Sequence, residues 1–255
     1  FGSAAVWLEY MTFFSQKHGI PCYALSLRGH GGSFYPSFLR MLYGTFRADL
    51  ADDLVAGIKF AQARERKLAG DEEKEEEKTR IVLVGHSSGG GLSQDVLSNG
   101  RVKISGLVLA AAVPGFGSIG VYLNWWKLDP WFSLRMLLHL WHVKSPLSTT
   151  PLVKRVFFCD KMPESRVREF ERHMSIYESF WWPLEMMYHF ASASNTISNI
   201  TGWGQNAGGE RIMVLAGGAD RLMTGDVMQS LAGWYREGFS RLVEGKKIEA
   251  RVEGF

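Results

Sequence analysis

Apolar residues recur at helical spacing from Ala4 to His18, with Val6, Tyr10, Phe13 and Phe14 near one face, and Gly19-Ile20-Pro21 halts the run, so the spacing predicts a helix over 4–18. Cys22 to Leu27 (CYALSL) is a short apolar run of strand length, closed by the glycine-rich RGHGGS. Phe46 to Ala63 returns to helical spacing, with Leu50, Leu54, Ile58 and Ala61 on one side. Further strands are expected at 81–84, 106–112, 211–216 and 248–252, with helical segments between most of them. Strands and helices in alternation favour an α/β fold with a mostly parallel sheet flanked by helices. No internal repeat is visible.

The alternation breaks between Pro114 and about Phe190, where the pattern turns mainly helical and reads as an insertion. Six of the nine tryptophans lie there, Trp125, Trp126, Trp131, Trp141, Trp181 and Trp182, among many phenylalanines and methionines. An inserted helical layer needs apolar contacts of its own. Pockets are also mostly apolar and form where a domain meets its insertion. Trp125, Trp126, Trp181 and Trp182 are therefore candidates for contact with a hydrophobic small-molecule substrate.

Composition narrows the function. Hydrophobic residues make up 46% and charged residues 22%, a globular mix that excludes a disordered or collagen-like chain. A net charge of +3 over 255 residues gives no basic stripe to track phosphates, so nucleic acid is not an expected partner. Gly70 to Arg80 packs six acids and two lysines between Asp71 and Lys78, which reads as a solvated loop without chemistry. Cys22 and Cys159 make no disulfide framework. No apolar run reaches the roughly 18 to 20 residues that span a bilayer, so no integral membrane segment is expected, and contact with a membrane surface stays open.

The chemistry concentrates in IVLVGHSSGGGLSQ, Ile81 to Gln94. Gly85-His86-Ser87-Ser88-Gly89 is a G-x-S-x-G pattern directly after an apolar strand and directly before a helix-compatible segment. A serine at the tip of such a turn is held in a strained backbone conformation. Side chains two residues to either side would collide with it, which the two glycines are expected to prevent. The helix behind it aims N–H groups and a partial positive charge at the serine. Ser88 N–H is then one donor to a developing oxyanion, worth roughly 3 to 4 kcal/mol. No HExxH, no Cys/His cluster and no dinucleotide fingerprint calls for a metal or an organic cofactor, and the glycines lack the lysine of a phosphate-binding loop.

VLVGHSSGG, LSLRGHGGS and VLAGGADRLM (Val214 to Met223) together resemble the α/β-hydrolase superfamily, in particular its cap-bearing serine esterase and lipase-like members. The resemblance covers nearly the whole chain. It implies an α/β-hydrolase core at 1–113 and 201–255, a helical cap or lid at 114–200, Ser87 as nucleophile and Asp220 as the acid. Asp226 reads instead as the start of the next helix, after Thr224-Gly225, and Asp160 falls in the cap. FGSAAVW resembles the segment just after the HG motif that donates a second oxyanion N–H, which makes Phe1 a candidate donor. Ser26 stands where relatives often carry an aspartate.

The family order of nucleophile, acid, then histidine meets a departure. Histidines stand at 18, 30, 86, 139, 142, 173 and 189, and none follows Asp220. The resemblance places the base just after Phe255, with both ends of the chain expected to be cut and the chain as given expected to be inactive. His30 and His86 are accounted for by their motifs, and His139, His142, His173 and His189 of the insertion by ordinary packing, with a base supplied from the cap by one of those four as the alternative. The reaction implied is hydrolysis of a hydrophobic carboxylic ester through an acyl-enzyme, and the same serine chemistry also serves amides, lactones and C–C bonds. The alternative is a non-catalytic protein that binds a hydrophobic ligand or a partner under the cap.

Overall fold

The computed structural model describes residues 2–70, 79–140, 142, 144–202, 210–246 and 251–254. In chain order these form α1 (Leu8–His18), α2 (Phe38–Gly44), α3 (Arg47–Leu68), β1 (Val82–His86), α4 (Ser88–Ser98), β2 (Gly106–Ala110), α5 (Ile119–Leu128), α6 (Phe132–Leu138), α7 (Thr150–Phe157), α8 (Glu164–Arg172), α9 (Trp181–Glu185), α10 (Ala193–Ser198), β3 (Glu210–Leu215), α11 (Gly225–Lys246) and β4 (Arg251–Gly254). The chain divides into two compact units, one made of Phe1–Asp53 with Trp125–Pro183, the other of Leu54–Asn124 with Leu184–Phe255.

The second unit holds the sheet. Its order is β1-β2-β3-β4 and every pairing is parallel, as the alternation of short apolar runs and helices requires. Register fixes the two faces, because side chains alternate along each strand. Leu83, Leu107 and Ile212 share one row, and Gly85, Leu109 and Val214 another on the same face. Leu107, Leu109, Ile212 and Val214 are buried, as are Leu92, Val96 and Leu97 of α4, Ile197 of α10, and Met228, Leu231 and Tyr235 of α11. The opposite face differs: Val84, Met213 and Leu215 are exposed.

Gln94 is fully buried in this unit and all of its hydrogen-bonding capacity is used. Its Nε2 donates to Gly90 O (2.9 Å) and Val113 O (2.8 Å), while its Oε1 accepts from Gly115 N (3.0 Å) and Tyr235 Oη (3.1 Å). One amide therefore ties the first turn of α4 to the segment after β2 and to α11. A buried polar group of this kind is tolerated only when satisfied, since each orphaned partner costs about 1 to 3 kcal/mol.

The first unit is built on helix ends. The last carbonyls of a helix have no partner one turn on, and at the end of α2 they are taken by residues 179–181: Phe180 N donates to Leu42 O (2.9 Å), Trp181 Nε1 to Tyr43 O (2.8 Å) and Ser179 Oγ to Thr45 O (2.5 Å). Arg28 grips Asp53 through its backbone N, Nε and Nη2 and reaches Asp49 through Nη1. His30 sets Nδ1 2.9 Å from Arg28 O and Nε2 2.8 Å from Glu178 Oε1, which also accepts from Ser175 Oγ at 2.6 Å. Both ring nitrogens face acceptors, so only the imidazolium can donate to both. Burial works against the charged ring, yet the hydrogen bond and charge of Glu178 raise its pKa above the ordinary value.

Several expectations change. The helix predicted over 4–18 begins as a 3-10 turn at Ala4–Trp7, and Val6, Tyr10, Phe13 and Phe14 are exposed rather than packed. Cys22–Leu27 pairs with no described strand: exposure alternates along it as in an extended chain, but a strand exists only through its ladder. The helix expected at 46–63 runs from Arg47 to Leu68. The acidic run at 71–78 and the residues 248–250 of the last expected strand lie outside the described residues. The remaining strands fall within one or two residues of expectation.

Candidate functional site

β1 ends at His86 and α4 starts at Ser88, so a single residue, Ser87, makes the turn. Its backbone sits at φ 52, ψ −126, a conformation a non-glycine residue rarely adopts. Surrounding hydrogen bonds hold it there. Ser87 N donates to Ala110 O (3.2 Å), and its carbonyl accepts from Gly90 N (3.0 Å), Gly91 N (3.3 Å) and Val113 N (2.9 Å). Strain of this type costs on the order of 1 to 3 kcal/mol and persists only where the surroundings over-determine it.

The glycines work differently from their expected roles. A Cβ at Gly85 would lie 2.6 Å from Gly90 Cα and 2.8 Å from Ser93 Oγ, a true collision. At Gly89 it would meet nothing within 4 Å. The second close approach belongs to Gly90, where a Cβ would run into Ala112 Cβ and Gly85 O. The pattern that matters is thus Gly85 with Gly90, which lets α4 pack against the ends of β1 and β2. Gly89 is a spectator of the bend.

Ala111, directly after β2, is a second strained residue at the same sheet edge, with φ 42. Its N donates to Leu215 O at 2.9 Å. No motif signals it, because its conformation is imposed by β3 across the sheet. Ser88 is the first residue of α4, and N–H groups of a first helical turn lack a carbonyl one turn earlier. These face the region where a negative charge is most favoured by the helix dipole.

Asp220 lies in the turn after β3, five residues beyond Leu215. Its Oδ1 accepts from Leu222 N (2.9 Å) and Met223 N (2.8 Å), and its own N donates to Gly217 O (3.0 Å). One carboxylate oxygen is thereby fixed by backbone. β2 alone separates β1 from β3, so the two strand ends that bear Ser87 and Asp220 stand about 10 Å apart, two strand spacings. Crevices outside the carboxyl ends of parallel strands are where such sheets bind ligands. His86 shares this edge. Its side chain keeps solvent-accessible surface but is crowded enough that burial lowers its pKa, against the pull of the Asp220 carboxylate.

The structure thus brings Ser87, Ser88 and Asp220 into one unit, on one sheet edge. Trp125, Trp126, Trp181 and Trp182 belong to the helical unit. Trp182 is buried, and Trp181 stacks on Phe46 with centroids 5.7 Å apart while donating to Tyr43 O. Trp125 stacks on Phe132 at 6.3 Å, and its Nε1 is buried without a hydrogen-bond partner among the described residues. Trp126 is exposed. Phe1 lies outside the described residues. Ser26, in the place of an aspartate, accepts from Ala4 N at 3.0 Å and so anchors the turn at 4–7. Among the described residues no three His, Cys, Asp or Glu side chains are grouped to hold a metal ion.

A parallel sheet with helices before and after its strands defines an α/β protein, and the comparison with known families gives its class. The alpha/beta hydrolase family model matches residues 1–248, and the chain belongs to that family. No curated protein matches it. Among solved structures it is similar to a highly thermostable carboxyl esterase from Bacillus coagulans (13% identity, TM-score 0.58, covering 100% of this chain and 77% of the other). It is also similar to a lipase-esterase related protein from Clostridium acetobutylicum (13%, 0.55, 100% and 81%). A hydrolase from Pseudomonas aeruginosa matches at 15% identity and TM-score 0.54, covering 91% and 74%. At these identities the likeness is one of fold.

Proposed function

We propose that this hydrolase-family chain is built for serine-dependent hydrolysis of a hydrophobic carboxylic ester. The observation that carries the reading is Ser87 held at φ 52 between β1 and α4, a conformation a non-glycine residue rarely adopts. Ser87 Oγ attacks the ester carbonyl and passes its proton to an imidazole, Ser88 N–H steadies the oxyanion, and the C–O bond to the alcohol breaks as the imidazole returns the proton. Water then attacks the acyl-enzyme by the same route and frees the acid. Asp220, with Oδ1 pinned by Leu222 and Met223, orients the imidazole and stabilises its charged form. The family order places the base, a histidine, after Asp220, and all seven histidines of these 255 residues precede that position. Residues 114–200 serve as the cap, and of Trp125, Trp126, Trp181 and Trp182 only Trp126 is exposed and so able to offer an apolar contact.

The order of residues, with no histidine between Asp220 and residue 255, leaves a second reading, a protein that binds a hydrophobic ligand under the cap without turning it over. Turnover of p-nitrophenyl esters separates the two. A form that carries the base hydrolyses them and Ser87→Ala does not, whereas saturable ester binding with no turnover favours the binding protein.

A further inference from the structure

α6 is turned inside out relative to an ordinary surface helix. Phe132, Arg135 and Met136 are the half-buried positions, and they are held by specific contacts. Arg135 pairs with the buried Asp129, Phe132 stacks on Trp125, and Phe132 N donates to Asp129 O at 3.1 Å. The outward positions at i, i+3, i+6 and i+7 are instead Trp131, Leu134, Leu137 and Leu138, and Trp131 and Leu138 are 67% and 70% exposed. A surface helix normally places its polar face there.

Leu140 sharpens the point. It follows the C-cap His139 at φ 51 and is 82% exposed. That is the position where helices prefer glycine, because a side chain in the left-handed region costs on the order of 1 kcal/mol. Here a leucine bears that cost while its side chain stays largely exposed, so burial does not offset it.

Charge indicates what covers this face. From Ile119 to Phe158 the sequence has five basic residues, Lys127, Arg135, Lys144, Lys154 and Arg155, against one acid, Asp129. That acid is buried and paired with Arg135. Lys127 and Arg155 are exposed, and Arg155 Nη1 reaches Leu128 O at the end of α5 (3.4 Å), four residues before α6 begins. Leucine and tryptophan on one face with basic residues around them is the composition of a segment that lies in the headgroup layer of an anionic bilayer. No helix among the described residues is long and apolar enough to cross a membrane. The exposed sheet face at Val84, Met213 and Leu215 has no comparable charge pattern to indicate a partner.

We propose that the outward face of α6, with Trp131 and Leu140 at its two ends, seats this protein on an anionic lipid surface. The inference does not depend on the role of Ser87. The test is co-sedimentation with phosphatidylcholine vesicles and with vesicles in which part of that lipid is replaced by phosphatidylglycerol. The protein binds the anionic vesicles at least about tenfold more tightly, and binding weakens with salt. Leu138→Glu lowers it by about tenfold, and Lys127→Gln with Arg155→Gln by about twenty-fivefold, roughly fivefold for each basic residue. Leu140→Gly is the decisive variant, because relief of backbone strain raises its thermal midpoint while vesicle binding falls. The proposal is overturned if neither vesicle binds, or if these substitutions leave binding unchanged. It is equally overturned if the protein sediments as a dimer that Leu138→Glu separates, since a second copy then occupies the face.

Discussion

The turns that follow β1 and β3 lie on one edge of the same sheet, yet they are held by opposite means. After β1 the chain reverses at one residue, Ser87, in a strained backbone conformation braced by three N–H groups on its carbonyl. After β3 it takes a longer path, and Asp220 is fixed through its side chain, by Leu222 N and Met223 N on Oδ1. In the first turn the backbone is constrained and the side chain is left free to be presented. In the second the side chain itself is constrained. That division matches what an attacking hydroxyl and an orienting carboxylate each need: one must reach an incoming carbonyl, the other must stay still.

The largest effect that sharpens this contrast concerns the acid. In a form of the protein that carries the histidine base, Asp220→Asn lowers kcat by roughly 10^3- to 10^4-fold, with little change in thermal midpoint, because the amide oxygen still accepts from Leu222 and Met223. A steady-state ester assay beside a melting curve checks both halves. Loss of stability in proportion to activity would show Asp220 to be a structural turn residue only.

Next comes the glycine that admits α4 to the sheet edge. Gly90→Ala drives a methyl into Ala112 and Gly85, and destabilises by about 3 kcal/mol, the upper range of overpacking, measurable by urea unfolding. The elbow moves with it, so activity falls as well.

A pH-confined effect belongs to the helical unit. The raised pKa of His30 contributes stability that is complete below its unfolded value of 6.5 and is lost as pH climbs through its folded value. Glu178 is held far below the usual carboxylate range: burial opposes its ionised form, but nearby positive charge and hydrogen bonds from His30 and Ser175 outweigh it. Its contribution is complete above the unfolded value of 4.5 and is lost as pH falls toward its folded value. Thermal midpoints therefore peak between those two values, and His30→Gln flattens the alkaline side. A profile with no such decline above the window would contradict the imidazolium assignment. The smallest effect is Gly89→Ala, which meets open space inside a helix and stabilises by about 0.5 kcal/mol.

The paired outcomes at Gly89 and Gly90 also mark how far the sequence could be read. Strands β1, β2 and β3 were legible because a short apolar run ended by glycine or polar residues has few other folds open to it. The strained turn at Ser87 was legible because a serine flanked by glycines between such a strand and a helix-compatible segment marks a tight strand-to-helix bend. The identity of the second necessary glycine was not, since it depends on Ala112, brought there by β2 from twenty-two positions along the chain. Gln94 and Ala111 were invisible for the same reason: each takes its role from a neighbour distant in sequence. Cys22–Leu27 failed in the other direction, as apolar content predicts extended backbone but not a pairing partner. Exposure of α1 and of the stripe on α6 was likewise beyond periodicity, which finds an apolar face without saying what covers it.

The central claim is that Ser87 is a displayed nucleophile, and reaction with a fluorophosphonate probe tests it most directly. With a base present, either in the chain or as added imidazole, the account predicts one label per chain, located at Ser87 by peptide mass spectrometry and absent in Ser87→Ala. A folded protein that stays unlabelled under those conditions, or is labelled equally after Ser87→Ala, contradicts it.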